Sequence, residues 1–238
     1  MNNLRDVWVY LSENPLLHLT MTLAAYLFGH AVYRWRGFNP LFNPVLFAVT
    51  LIVIILLVTK TSYQTYFQGA QFVHFLLGPA TVALAVPLYN QIERVRRSVV
   101  PILLSILAGS LTASISAIGI VWALGGSRES LLSIGPKSVT TPVAMGIAQE
   151  LGGLPSLTAA LVILTGIAGA MLGPALMNRL GIKDWAARGL AMGVASHGIG
   201  TARALQVNEA AGAFSGLAMG LNALATAILL PALWHAFR

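Results

Sequence analysis

Six stretches of the chain run without a charged residue for long enough to cross a hydrocarbon layer: 14–33, 37–59, 61–92, 98–127, 151–178 and 210–237. A membrane helix needs roughly 20 apolar residues. These runs are apolar all round rather than along one stripe, so each predicts a span-length helix, whereas a transmembrane barrel would show alternating segments of about ten residues. Two shorter uncharged gaps, 138–149 and 189–202, are too short to cross comfortably. No Gly/Ser linker or block of charge divides the chain, which predicts one integral membrane domain over 1–238.

Composition agrees with the pattern. Charged residues make up 9% of the chain and hydrophobic ones 57%, with a mean hydropathy of +0.78, against about 25% charged in soluble domains. A soluble enzyme, a disordered region and a fibrous protein are therefore all excluded as readings. The absence of cysteine removes disulfide scaffolds, Cys-based zinc sites, thiol catalysis and S-palmitoylation. The first 30 residues lack the basic start, apolar run and small-residue cleavage site of a secretory leader, so the first apolar segment is expected to stay in the protein. The net charge of +7 is spread among loops, not gathered on one face, and predicts no nucleic-acid partner.

The positions of the basic residues predict a topology. Arg34 and Arg36 follow the first run, Arg94, Arg96 and Arg97 the third, and Arg179, Lys183 and Arg188 share a late loop. Short cytoplasmic loops are enriched in Lys and Arg, so the three loops are expected on that side. The count closes at seven crossings if 138–149 re-enters or breaks midway and 189–202, with the residues just after it, crosses as a broken segment. An eight-crossing arrangement puts the late basic loop outside, against the charge rule.

Three stretches break the rule that a membrane helix be apolar and free of breakers. In 76–89, Pro79 and Pro87 each lack an amide hydrogen, and Thr81 adds a hydroxyl beside the break. Backbone freed in this way is tolerated where it faces protein or a wet cavity; a kinked packing helix is the plainer reading. In 135–150, Pro136 and Lys137 precede Ser138, Thr140, Thr141 and Pro142, and the run ends at Gln149 and Glu150. A helix start with hydroxyls in its first turn presents free amide hydrogens to an anion, although a simple cap with Lys137 snorkelling to the headgroups uses the same residues. In 187–209, Ser196, His197, Thr201 and Arg203 cluster with Gly193, Gly198 and Gly200. Glycine disfavours a helix interior by about 1 kcal/mol relative to Ala, so this stretch is expected to unwind. Ionisable groups at membrane depth mark a functional path: Arg203 offers a fork for a carboxylate, and His197 and Glu150 are candidates for proton coupling. Arg203 at the membrane face and a His that merely bonds a carbonyl are the competing readings.

A weak internal similarity links Gly78-Pro79-Ala80-Thr81 with Gly198-Ile199-Gly200-Thr201, and Gly135-Pro136-Lys137-Ser138 matches the first equally well. An inverted repeat of the transporter type is consistent with this pattern. No phosphate loop, HExxH pair or GxSxG elbow occurs, and no acidic residue flanks Ser196-His197 to complete a hydrolase triad, so no enzyme, cofactor or metal is expected.

The stretches LLGPATVALAVPLY (76–89), PKSVTTPVA (136–144) and ARGLAMGVASHGIGTARA (187–204) together closely resemble the LrgB/CidB family, from about residue 20 to the C-terminus. Gly198-Ile199-Gly200 departs slightly from the small residues many members carry there. The runs and charges predict an all-α polytopic protein of about seven or eight transmembrane segments, and the resemblance implies that it lies in the bacterial inner membrane. It also implies a small LrgA/CidA-type membrane partner and assembly as a homo-oligomer. The family is described as holin/antiholin-like, acting on murein hydrolase export and lysis; plastid relatives resemble glycolate/glycerate carriers, and some bacterial ones are associated with pyruvate uptake. A discrete site of broken helices favours a carrier of small monocarboxylates. The expected binding residues are Pro79, Thr81, Lys137, Ser138, Thr140, Thr141, Ser196, His197, Thr201 and Arg203.

Overall fold

The computed structural model describes residues 15–39, 42–83 and 85–236, and these are helices and the turns between them. Contacts divide the chain into two units, Met1–Ala83 and Leu84–Arg238. Five stretches among the described residues are long and apolar enough to cross a membrane: Pro15–Trp35, Tyr63–Asn90, Val99–Ala123, Pro155–Arg179 and Glu209–Trp234.

In the first unit, α1 (Pro15–Trp35), α2 (Pro44–Thr59) and α3 (Tyr63–Phe75) pack around Ala25, Ala48, Ile52, Tyr66 and Ala70. Asn43 caps α2 by accepting from the amides of Val45 and Leu46, and Pro44 sits in the first turn, where its missing N–H costs nothing. A β-carbon on Gly29 would lie 2.7 Å from Pro44 O, so α1 and α2 approach at van der Waals limits only because that position is glycine. Thr22 Oγ1 pairs with the Tyr66 hydroxyl at 2.9 Å, while Gly69 faces Pro15 and His18; α1 and α3 are therefore antiparallel. The expected interruption in 76–89 is present: α3 stops at Phe75, and α4 (Leu77–Ala83) is a separate short helix.

The second unit contains α5 (Ala85–Asn90), α6 (Ile92–Arg97), α7 (Val99–Ala123), α8 (Arg128–Ile134), α9 (Thr141–Leu151), α10 (Pro155–Arg179), α11 (Trp185–Val207) and α12 (Glu209–Ala236). Ile102 and Ile106 of α7, Ala186 and Val194 of α11, and Phe214 and Ala218 of α12 form its largest buried cluster.

The stretch containing α8 and α9 re-enters, as the charge pattern required. Ser133 Oγ accepts from the amide of Leu154 at 2.8 Å, and Ser133 O accepts from Thr158 Oγ1 at 3.0 Å. The chain thus returns after α9 to the level of Ser133 in α8. At 1.5 Å per residue, the 11 residues of α9 span only about 16 Å.

The 189–202 stretch departs from the expectation that it crosses. His197, with φ 40° and ψ −131°, breaks α11 in its middle, and the two arms fold back on each other. A β-carbon on Gly200 would sit 2.7 Å from Met192 O, whereas a straight helix separates residues eight apart by about 12 Å. Gly193 in one arm and Thr201 in the other both contact Ser215 of α12; at the open end, Gly189 meets Ala211 and Leu205 meets Gly212. The physical reason is the small-residue sequence: Gly189, Gly193 and Gly200 let two helical arms and α12 lie in backbone contact, which makes a tight hairpin easier to close than a kinked span.

Both open ends of this hairpin are held by one short stretch. Arg94 pairs with Asp184, which caps the first arm by accepting from the Ala187 amide, and Asn90 Nδ2 donates to Glu209 Oε1 at 3.0 Å. The basic stretches 94–97 and 179–188 therefore share one end of the bundle, which is where the charge rule puts them. The Ala187 amide, followed by Arg94, holds the Asp184 carboxyl below the usual range.

Candidate functional site

The two hairpins open toward opposite ends of the second unit and meet tip to tip. The α8–α9 hairpin presents Ser138, Val139 and Thr140; the α11 hairpin presents Val194 to Thr201. Asn222, near the middle of α12, joins them: its Nδ2 donates to Ser138 O at 3.1 Å and to Val194 O at 3.3 Å. Both partners are carbonyls, so the amide orientation is fixed with nitrogen inward. Where no water can substitute, each such donor matters more than on a surface.

The α11 tip is secured twice more. His197 Nε2 lies 3.0 Å from Val162 O of α10 and donates to it, since a carbonyl can only accept. Thr201 Oγ1 lies 2.8 Å from His197 O, to which it donates, and 2.9 Å from Ser215 Oγ. A non-glycine residue with positive φ of this kind persists only when its surroundings over-determine it, and these three bonds supply that constraint. Space for the tip comes from α10: β-carbons on Gly166 and Gly169 would strike the His197 ring and Ser196 Oγ. Val139, at the other tip, packs with Val162 in a cluster with Ala144, Ile147 and Leu230. Residue 162 thus touches both hairpins, one through its carbonyl and one through its side chain.

Two polar atoms at this junction are buried without a hydrogen-bond partner, Ser196 Oγ and Asn222 Oδ1. The N-terminus of α9 points inward as well; Thr140 is its N-cap residue but makes no side-chain cap bond. The second arm of α11 also begins at the tip. Two helix N-termini, each the positive end of a dipole, therefore converge on the junction. Lys137 Nζ lies 3.2 Å from Ser138 Oγ and brings a formal cation to the same place. The Ser196 hydroxyl, the two helix N-termini and the Lys137 ammonium are groups that attract an anion, whereas Asn222 Oδ1 is an acceptor that does not. Among the described residues, no group of three or more His, Asp or Glu is arranged to hold a metal ion.

Of the expected site residues, Lys137, Ser138, Thr140, Thr141, Ser196, His197 and Thr201 gather at the two tips. Arg203 is half-buried on the returning arm of α11, beyond Thr201 and away from the tip. Glu150 is exposed at the far end of α9. Pro79 is exposed in α4 of the first unit, and the side chain of Thr81 lies outside the described residues. Asn222, Ser215 and the glycines of α10 were not anticipated. The signal for Asn222 was present as a carboxamide in the middle of an otherwise apolar run; Gly166, Gly169 and Gly173 recur at helical spacing, which marks a face made for close approach.

A profile of the LrgB-like family matches residues 22–236. The chain is 41% identical over 209 residues to the protein YxaC of Bacillus subtilis (strain 168), covering 88% of this chain and 90% of that protein. It is 36% identical over 195 residues to the holin-like protein CidB of Staphylococcus epidermidis, covering 82% and 85% respectively. For the holin-like protein CidB of Staphylococcus aureus the values are 33% over 218 residues, 92% and 95%. No solved structure matches the chain.

Proposed function

The chain belongs to the LrgB-like family of membrane proteins, and on that premise we propose that it carries small monocarboxylates such as glycolate, glycerate or pyruvate across the bacterial inner membrane. The observation that carries this reading is the meeting of two oppositely entering hairpins at Asn222. Half-helices that point N-termini at a central site are what a carrier needs for an anion, and two independent tips allow access from one end at a time. The carboxylate sits between Ser138–Thr141 and Ser196–Thr201, with Lys137 supplying countercharge and His197 handling a coupled proton; Arg203 and Glu150 stand too far from the tips to take these roles. The family match runs through both units, which supports one functional domain over 1–238.

A second reading has its own support. Relatives at 33–36% identity are named holin-like, which favours an effector that modulates murein hydrolase export and lysis, working with an LrgA/CidA-type membrane protein or as a homo-oligomer. Helices that only oligomerise into a pore have no use for buried tips tied by one carboxamide, and on that ground the carrier reading takes precedence. Purified protein in liposomes, given labelled glycolate, glycerate and pyruvate, tests it. Uptake lost in Lys137→Ala or Thr141→Ala protein that still folds supports the carrier. No uptake of any of the three, with Lys137→Ala leaving a lysis phenotype intact, favours the effector.

A further inference from the structure

At the end of the second unit where the α11 hairpin opens, a groove of about 320 Å³ is lined by Asn90, Gln91, Glu93, Arg94 and Arg97. Arg96 lies exposed on the same helix, so α6 carries three arginines against Glu93 alone. Glu93 already accepts from Arg97 Nε and Nη2, each at 3.2 Å, and Asp184 holds Arg94. Arg97 keeps Nη1 for a further acceptor; Glu209, held by Asn90, brings the local carboxylates to three, and Arg179, Lys183 and Arg188 of the same end leave the surroundings of the groove positive. Two residues beyond Arg97, α7 begins at Val99, and Val100, Leu104 and Leu107 on one face of it are 66%, 62% and 41% exposed; residues spaced by four and three share a helix face.

A cationic, hydrogen-bonding groove next to an exposed apolar helix face suits a molecule with an anionic head and a hydrocarbon tail. We propose that this groove binds the phosphodiester headgroup of an anionic phospholipid, with an acyl chain along α7. The apolar strip is what distinguishes a lipid from free phosphate as occupant. Because Asn90 and Arg94 also hold Glu209 and Asp184, the bound headgroup rests on the residues that fasten both legs of the α11 hairpin. The assignment is independent of what the protein moves across the membrane.

Native mass spectrometry of the delipidated protein, titrated with phosphatidylglycerol or phosphatidylcholine, tests it. Phosphatidylglycerol is expected to bind preferentially, with affinity falling about fivefold in Arg97→Gln, the scale of one juxtamembrane cation. Glu93→Gln removes a competing carboxylate and is expected to raise affinity, an opposite sign that damage to the fold would not produce. Arg128→Gln, at the other end of the bundle, serves as the control and is expected to change nothing. Equal binding of the two lipids, an Arg97→Gln effect no larger than that of Arg128→Gln, or glycerol 3-phosphate binding as tightly as the lipid would each overturn the proposal.

Discussion

Asn222 and Ser138 are 84 positions apart in sequence, and the side-chain amide of the first donates to the backbone carbonyl of the second at 3.1 Å. The same nitrogen reaches Val194 O at 3.3 Å, so a single side chain satisfies carbonyls from two hairpins. Asn222→Leu strips both of their donor, and an unsatisfied buried group costs about 1–3 kcal/mol. Asn222→Asp keeps the shape but not the N–H, and is expected to destabilise at least as much. Thermal unfolding in detergent checks both; a neutral Asn222→Asp would mean that shape alone matters.

His197 adopts φ 40°, a conformation that favours glycine. Both His197→Gly and His197→Ala lose the bond to Val162 O, but only glycine relieves the backbone. We expect the Gly variant to be the more stable of the two by about 1 kcal/mol, reversing the order found in an ordinary helix interior. Chemical or thermal denaturation of the pair reads this order directly.

Glycines on α10 should divide from those in open positions. In Gly169→Ala the new methyl runs into Ser196 Oγ, whereas Gly146→Ala in α9 meets nothing within 4 Å. The first is expected to lower stability and disturb the tip, with partial rescue by Ser196→Gly. The second should be neutral or stabilise by up to about 1 kcal/mol, through helix propensity. Melting temperatures of the three proteins suffice.

The Asp184 carboxyl is held low by the Ala187 amide and then by Arg94. A depressed folded-state pKa means that the unfolded chain binds the proton more readily, so the stabilisation is complete above the usual carboxylate range. It is lost as pH falls through the folded-state value. Unfolding followed from neutral to acid pH should show this loss in wild type and a flatter profile in Asp184→Asn.

Because the chain contains no cysteine, single cysteines report topology cleanly. A crossing α11 would put positions 182 and 208 on opposite sides; the hairpin puts them on the same side, opposite position 130. Labelling of Ser130→Cys, Ile182→Cys and Asn208→Cys with an impermeant thiol reagent distinguishes these outcomes.

The positions of arginine made much of this architecture legible. Placing Arg94–Arg97 and the Arg179–Arg188 loop on one side forced the stretch 138–149 to turn back, and the Ser133–Leu154 bond shows that it does. The glycines of α11 announced a break but misplaced its nature. Gly200 matters because it lets one arm lie on Met192 of the other, a relation between residues that hydropathy averaged along the chain does not carry. Asn222 was hidden for a similar reason: one carboxamide in a long apolar run leaves the mean nearly unchanged, and its importance depends on which carbonyls fold up beside it. Arg203, prominent in sequence as a buried-charge candidate, stands away from the tip because a hairpin returns it toward the end from which it entered.

The junction at Asn222 also bears on how the protein is made. Synthesis runs from the N-terminus, so both hairpins are complete before residue 222 leaves the ribosome. Until then Ser138 O and Val194 O lack the donor that α12 supplies, although Val162 of α10 already touches both hairpins. Completion of the centre must therefore wait for α12, and a nascent chain halted before it would hold two finished loops that meet at Val162 with their tip carbonyls unpaired by Asn222.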